Sequence, residues 1–196
     1  MKRYLIYSLL AGMAIFYSCK KENSNTNTAL QGNYKLKYFT SNTNSTITGS
    51  DGEKSVTTSD YTTINNLGTI AFDGSNLTTV GVTYTINAVA KGYIYQDNLL
   101  LDSSSFPFNF TIPPFSSVAS YQLVGTDSIY FPQGALTTGL GGSGNIQYGA
   151  SGGRYTLNGA LLTITQTALK DSSFIASGVT FQMKESAVIS IVMEKL

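Results

Sequence analysis

The chain has 196 residues, with 12 lysines and arginines against 11 acids for a net charge of +1. Charged residues make up 12% of it, about half the usual share, and no run of bases offers the concentrated positive surface that nucleic acid requires. Histidine and tryptophan are absent and cysteine occurs once, which removes the usual proton acceptor of nucleophilic catalysis, the common metal ligands and any internal disulfide.

Met1, Lys2 and Arg3 open the chain with positive charge, and residues 5–17 form an apolar run broken only by Ser8 and Gly12, the pattern of a secretory leader. The run is too short for a comfortable membrane span, which takes about 20 apolar residues as a helix. Phe16, Tyr17, Ser18, Cys19, Lys20 and Lys21 then resemble the lipobox of bacterial lipoproteins, with Phe16 and Tyr17 where that family has Leu and a small residue. The resemblance implies removal of residues 1–18 as a signal peptide and acylation of Cys19, on its sulfur and usually on its amine, by palmitate-like chains. Each buried methylene contributes ~0.8 kcal/mol, so two or three chains hold the protein on the bilayer effectively for good. The same resemblance, with no Asp after Cys19, implies the outer membrane and leaves the periplasmic or surface side open.

Residues 19–29 are predicted to be a flexible tether. No apolar residue occurs from 20 to 28, so nothing there repays the entropy of ordering, and about ten such residues span roughly 15–20 Å. Lys20 and Lys21 either meet anionic head groups or stay solvated. Loss of Lys2 and Arg3 with the leader leaves 10 bases against 11 acids, and residues 30–196 have the size of one domain.

Period-two alternation dominates from Gly32 onward. Tyr34, Leu36 and Tyr38 alternate with Lys35 and Lys37. Residues 40–66, rich in Thr, Ser and Asn, read as a long loop with one weak hairpin near Val56. A strand follows at 69–72, and Asp73-Gly74 marks a turn. Val80, Val82, Tyr84 and Ile86 alternate with Gly81, Thr83 and Thr85 in the clearest amphipathic strand, and two short runs, KGYIYQD and NLLLD, come next. Phe106, Phe108, Phe110 and Ile112 share one face of an extended segment whose Pro107 suits a sheet edge or a loop across an open end. Strands are predicted at SYQLV and SIYF around residues 125–127. Two more flank an Asn158-Gly159 turn, and GVTFQM and AVISIVMEKL close the chain. Eight to eleven strands at hairpin spacing, with no helix after the leader, predict an all-β domain that closes as a barrel or packs as two sheets.

Leu30, Gly32, Tyr34 and Leu36 resemble the L-x-G-x-W-x-L opening of lipocalin-like domains, with Tyr34 in place of Trp. Gly153, Tyr155 and Leu157, then residues 162–165 and the closing I-x-I-V-M-E-K-L, resemble that family's later hairpin and last strand. The resemblance implies a lipocalin-like barrel over residues 30–196, with a two-sheet sandwich as the alternative, and a cavity for a small apolar molecule.

Several constellations point to chemistry and fail for stated reasons. Residues 139–144 match G-x-G-x-x-G letter for letter, but no helix follows to receive a pyrophosphate, so they read as a loop between strands. Asp73, Asp97, Asp102 and Asp127 supply the carboxylates a glycosidase needs, yet all four fall in or beside predicted turns, where Asp bonds its own backbone. No enzyme activity, cofactor or metal is expected. The candidate contacts are Phe106, Phe108 and Phe110 with Tyr93 and Tyr95, whose rings suit an apolar or carbohydrate ligand inside the barrel. The rival expectation is a structural or accessory subunit of an envelope complex. The expected partners are thus the membrane through Cys19, a small ligand or an envelope protein, and no nucleic acid.

Overall fold

The computed structural model describes residues 28–132 and 150–196. The leader with Cys19, and the glycine-rich residues 139–144, lie outside the described residues.

Ten strands and no helix occur among the described residues: β1 (Gly32–Gly49), β2 (Glu53–Thr62), β3 (Ile64–Phe72), β4 (Asn76–Gln96), β5 (Leu99–Ser120), β6 (Gln122–Val124), β7 (Ser128–Phe131), β8 (Ser151–Asn158), β9 (Leu161–Ala176) and β10 (Val179–Lys195). All ten belong to one antiparallel sheet, and not to the two of a sandwich. Two of the boundaries are interruptions within a single strand. β2 and β3 run in the same direction between β1 and β4, parted only at Thr63. β5 likewise continues through Tyr121 into β6, pairing with β4 before that residue and with β7 after it. Read through these interruptions, the chain is a meander in which each strand pairs with the next and β10 pairs with β1.

The turns follow from their residues. Asp73 Oδ1 accepts the Ser75 and Asn76 N–H groups at 2.8 and 2.6 Å while Gly74 takes a positive φ. Asp97 and Asn98 both have positive φ, as a two-residue hairpin with a right-handed strand twist requires, and they join β4 to β5 directly. Ser177 and Gly178 do the same between β9 and β10.

The predicted loop over 40–66 is instead the far half of β1, a turn, all of β2 and, past Thr63, the start of β3. Thr is β-branched and suits extended backbone, and beyond Ser41 and Tyr61 both faces of these strands are exposed or half-exposed, so the apolar alternation that signals a half-buried strand is missing. The two short runs after Ile86 are in fact the distal parts of two strands of 21 and 22 residues. GVTFQM and AVISIVMEKL are likewise one strand, β10.

Side chains divide the sheet into two sections. In the first, Leu30, Tyr34, Ile70, Val82, Ile129, Phe131, Leu162, Ile164 and Met193 are at most 2% exposed and form one cluster. Its rings meet edge to face, Tyr34 with Phe72 at 5.6 Å and Phe72 with Tyr121 at 5.3 Å, each pair worth ~0.5–1.5 kcal/mol beyond its burial. The Tyr34 hydroxyl donates to the Leu30 carbonyl at 3.0 Å, so the buried phenol is satisfied. In the second section six strands run on past this core in the order β9-β10-β1-β2-β4-β5. Here, in what we term the wing, most side chains are exposed or half-exposed. Its hairpin tips are tied together: Gln96 Nε2 donates to the Asp51 carbonyl, Asp97 N–H to the Gly52 carbonyl and Ser50 N–H to the Thr180 carbonyl.

Candidate functional site: two faces of the wing

Residues opposed across a ladder point to the same side of a sheet, so the register sorts the wing into two faces. One face is continuous with the packed core. It carries Phe106, Phe108 and Phe110 of β5 opposite Ala90, Ala88 and Ile86 of β4. Phe108 reaches the core: it stacks on Phe110 at 6.1 Å and meets Tyr61 edge-on at 6.4 Å, and Tyr61 meets Phe39 at 5.9 Å. Phe106 and Phe110 stay 59% and 45% exposed. Burial raises the Tyr61 phenol pKa, against a hydrogen bond with Ser41, and burial with the Tyr61 phenol nearby pushes Tyr84 up to about 12. Both phenols are therefore neutral hydroxyls across the physiological range. On the same side, Gln166 is buried and its Oε1 has no hydrogen-bond partner.

Tyr93 and Tyr95 lie on the opposite face. Tyr93 is paired with Val56 and Tyr95 with Lys54, whose ammonium sits 5.3 Å from the Tyr95 ring centre. The two tyrosines share a face as their spacing predicts, but the thickness of the sheet separates them from the phenylalanines, so the five rings do not form one site.

This second face also holds a cleft of about 510 Å³ crossing β1, β2 and β4. Asn42, Asn44, Thr58, Asp60, Asn87 and Lys91 project into it. Among the described residues, the side chains of Asn42, Thr58, Asp60, Asn87 and Lys91 enter no hydrogen bond or ion pair, and Asn44 only accepts from Thr46 at 3.3 Å. Four of the six fall in the stretch read as a loop, where no face could be assigned. The signal available was the alternation Asn42, Asn44 on β1 and Thr58, Asp60 on β2.

The four candidate carboxylates are dispersed. Asp73 caps the β3–β4 turn, Asp97 forms the β4–β5 turn, and Asp102 accepts the Ser103 N–H at 2.8 Å. Asp127 pairs with Arg154 at 2.8 Å beside the β6–β7 turn. No group of three or more His, Cys, Asp or Glu converges as a metal site among the described residues.

No family model, curated protein or solved structure matches the chain.

Proposed function

We propose that this chain is a lipid-anchored, non-catalytic binding protein of the outer membrane, with a lipocalin-like barrel as its body and the wing as its binding surface. Support for a barrel comes from the pairing path: with the two interruptions bridged, the ten strands count as eight, each bonded to the next and the last to the first. Tyr34, where lipocalin-like domains have Trp, is fully buried against Phe72. Anchoring rests on the lipobox around Cys19.

One observation carries the choice of surface. The packed section is filled by its own side chains, whereas the wing presents a 510 Å³ cleft and a row of exposed aromatics. A ligand is therefore received on the wing and not inside the body.

A second reading makes the chain a subunit of an envelope complex. It draws on the wing's two outer strands, each paired on one side only there, which expose Leu101 at 60% and Ile175 at 74%. Native mass spectrometry of the full chain, extracted from its own envelope in mild detergent, separates the two. A small-molecule adduct supports ligand binding, a stoichiometric protein adduct supports the subunit reading, and a bare chain counts against both.

A further inference from the structure

We propose that the cleft on the second face is a carbohydrate site, which takes a neutral, hydroxyl-rich saccharide across β1, β2 and β4. The proposal rests on the reading of the wing as a binding surface and names the ligand class.

Volume and chemistry are the starting points. About 510 Å³ lies within the ~300–1,000 Å³ of small-molecule sites, but those are mostly lined by apolar side chains, and this one sets amides, hydroxyls, a carboxylate and an ammonium beside the smaller apolar groups of Ala88 and Val89. An apolar ligand would strip water from all of these polar groups and return nothing. A sugar returns a hydrogen bond to each. Every sugar hydroxyl both donates and accepts, so the carbonyl and NH₂ of one Asn can serve two adjacent hydroxyls. Asp60 accepts from a third and Lys91 donates to a fourth or to a ring oxygen. Val89, on the same face, offers a small apolar patch to the C–H side of a ring.

The lattice of the sheet fixes the spacing. Opposed side chains stand ~5 Å apart and every second residue along a strand ~7 Å on. Asn42 is opposed to Asp60, Asn44 to Thr58 and Thr58 to Lys91, so donors and acceptors recur in two directions at the scale of a sugar ring.

Other ligand classes fit less well. A phosphate would meet one ammonium with a carboxylate close by. A metal ion would find a single carboxylate. A peptide adding itself as a strand needs an unpaired edge, and β2, at the middle of the cleft, is bonded on both sides.

The test is calorimetric titration of the full chain with cellotetraose, xylotetraose, maltotetraose, mannotetraose and tetra-N-acetylchitotetraose, each up to millimolar concentration. Expected is binding of at least one, weakened by about tenfold or more in Asn87→Ala and in Asp60→Asn, with unchanged thermal unfolding of both variants. Val124→Ser, at an exposed position of β6 outside the wing, should titrate like wild type. Failure of all five sugars to bind at millimolar concentration overturns the proposal. So does a titration that Asn87→Ala and Asp60→Asn leave unaltered. If binding survives those two changes but is lost in Phe106→Ser, the wing remains the binding surface and the cleft does not. If no sugar binds yet the envelope-extracted chain carries another small molecule, only the ligand class is wrong.

Discussion

Thr63 and Phe39 hydrogen-bond to each other twice: the Phe39 N–H donates to Thr63 Oγ1 and the Thr63 N–H donates to the Phe39 carbonyl, both at 2.9 Å. Thr63 is the residue at which β2 gives way to β3, so this reciprocal pair stitches β1 across the interruption. The Thr63 hydroxyl then donates to Asn66 Oδ1 at 2.6 Å, and Asn66 Nδ2 returns to the Lys37 and Thr63 carbonyls. Thr63→Val keeps the shape but leaves the Phe39 amide without an acceptor, at a cost of about 1–3 kcal/mol. Thr63→Ser should recover most of that loss. Urea unfolding of the three proteins measures both effects.

Gly68 has φ of +99°, and a Cβ there would stand 2.5 Å from the Val82 Cα of β4. Gly68→Ala therefore combines an unfavourable backbone conformation, ~1–3 kcal/mol by itself, with a collision that no side-chain rotation relieves. Gly81→Ala is the control: φ is also positive, at +60°, but nothing lies within 4 Å. The first substitution should lower the unfolding midpoint well beyond the second.

The phenylalanine row on β5 is split between core and contact surface. Phe108→Ala removes a ring packed on Tyr61 and Phe110, and should cost about 2–4 kcal/mol, below the 3–5 of a fully buried Phe. Phe106→Ser should stay within about 0.5 kcal/mol, as exposed positions do. Equal losses at the two positions, measured by denaturant unfolding, would contradict the register that places them.

Ionisation of tyrosine sets the alkaline limit. Burial raises the phenol of Tyr84 to about 12 and shifts Tyr34, Tyr61 and Tyr121 in the same direction. The unfolded chain releases these protons first, near pH 10, so stability is fully present below that pH and is lost as pH climbs toward 12. Tyr84→Phe should flatten this decline, read from unfolding midpoints between pH 9 and 12. At the acid end the sign reverses. Backbone donors of Asn76 and Ser75 hold the Asp73 carboxyl below its usual range, and Lys35 and Lys37 do so for Glu194. These contributions are present above pH ~4 and disappear as pH falls below it.

The proposed membrane attachment is tested at the single thiol. Cys19→Ala should leave unprocessed precursor and lose the acyl mass from the mature chain, with the soluble fraction gaining whatever is released. Mass spectrometry of the membrane fraction reads the outcome directly.

The hairpins at Asp73-Gly74 and Asn158-Gly159 were legible because turn chemistry is local: Gly takes the positive φ and Asp bonds its own backbone. The strand through Val82, Tyr84 and Ile86 was legible because one face is buried and the other is not. The wing was not, since Asn42 to Thr48 and Lys54 to Asp60 are exposed or half-exposed on both sides and period-two alternation of apolarity has nothing to report. The cleft was hidden for the same reason. Its residues come from three successive strands of the meander, and only the register, with Asn42 opposite Asp60 and Thr58 opposite Lys91, brings them together. The split between Phe106 and Tyr93 needed no more than parity, once β4 and β5 were known to be uninterrupted partners from Ala88 to Ile94.

Proline at 107, 113 and 114 gives β5 a further property. Wherever copies meet at high local density, as the proposed membrane anchor would arrange, a bare strand margin invites the next molecule to zip alongside and seed a fibre. Pro107, in the wing stretch of β5, has no N–H to offer such a zipper. On β9, the opposite margin, Lys170 and Asp171 add charges that resist drying. Both bare margins of the wing thus carry residues that oppose edge-to-edge growth.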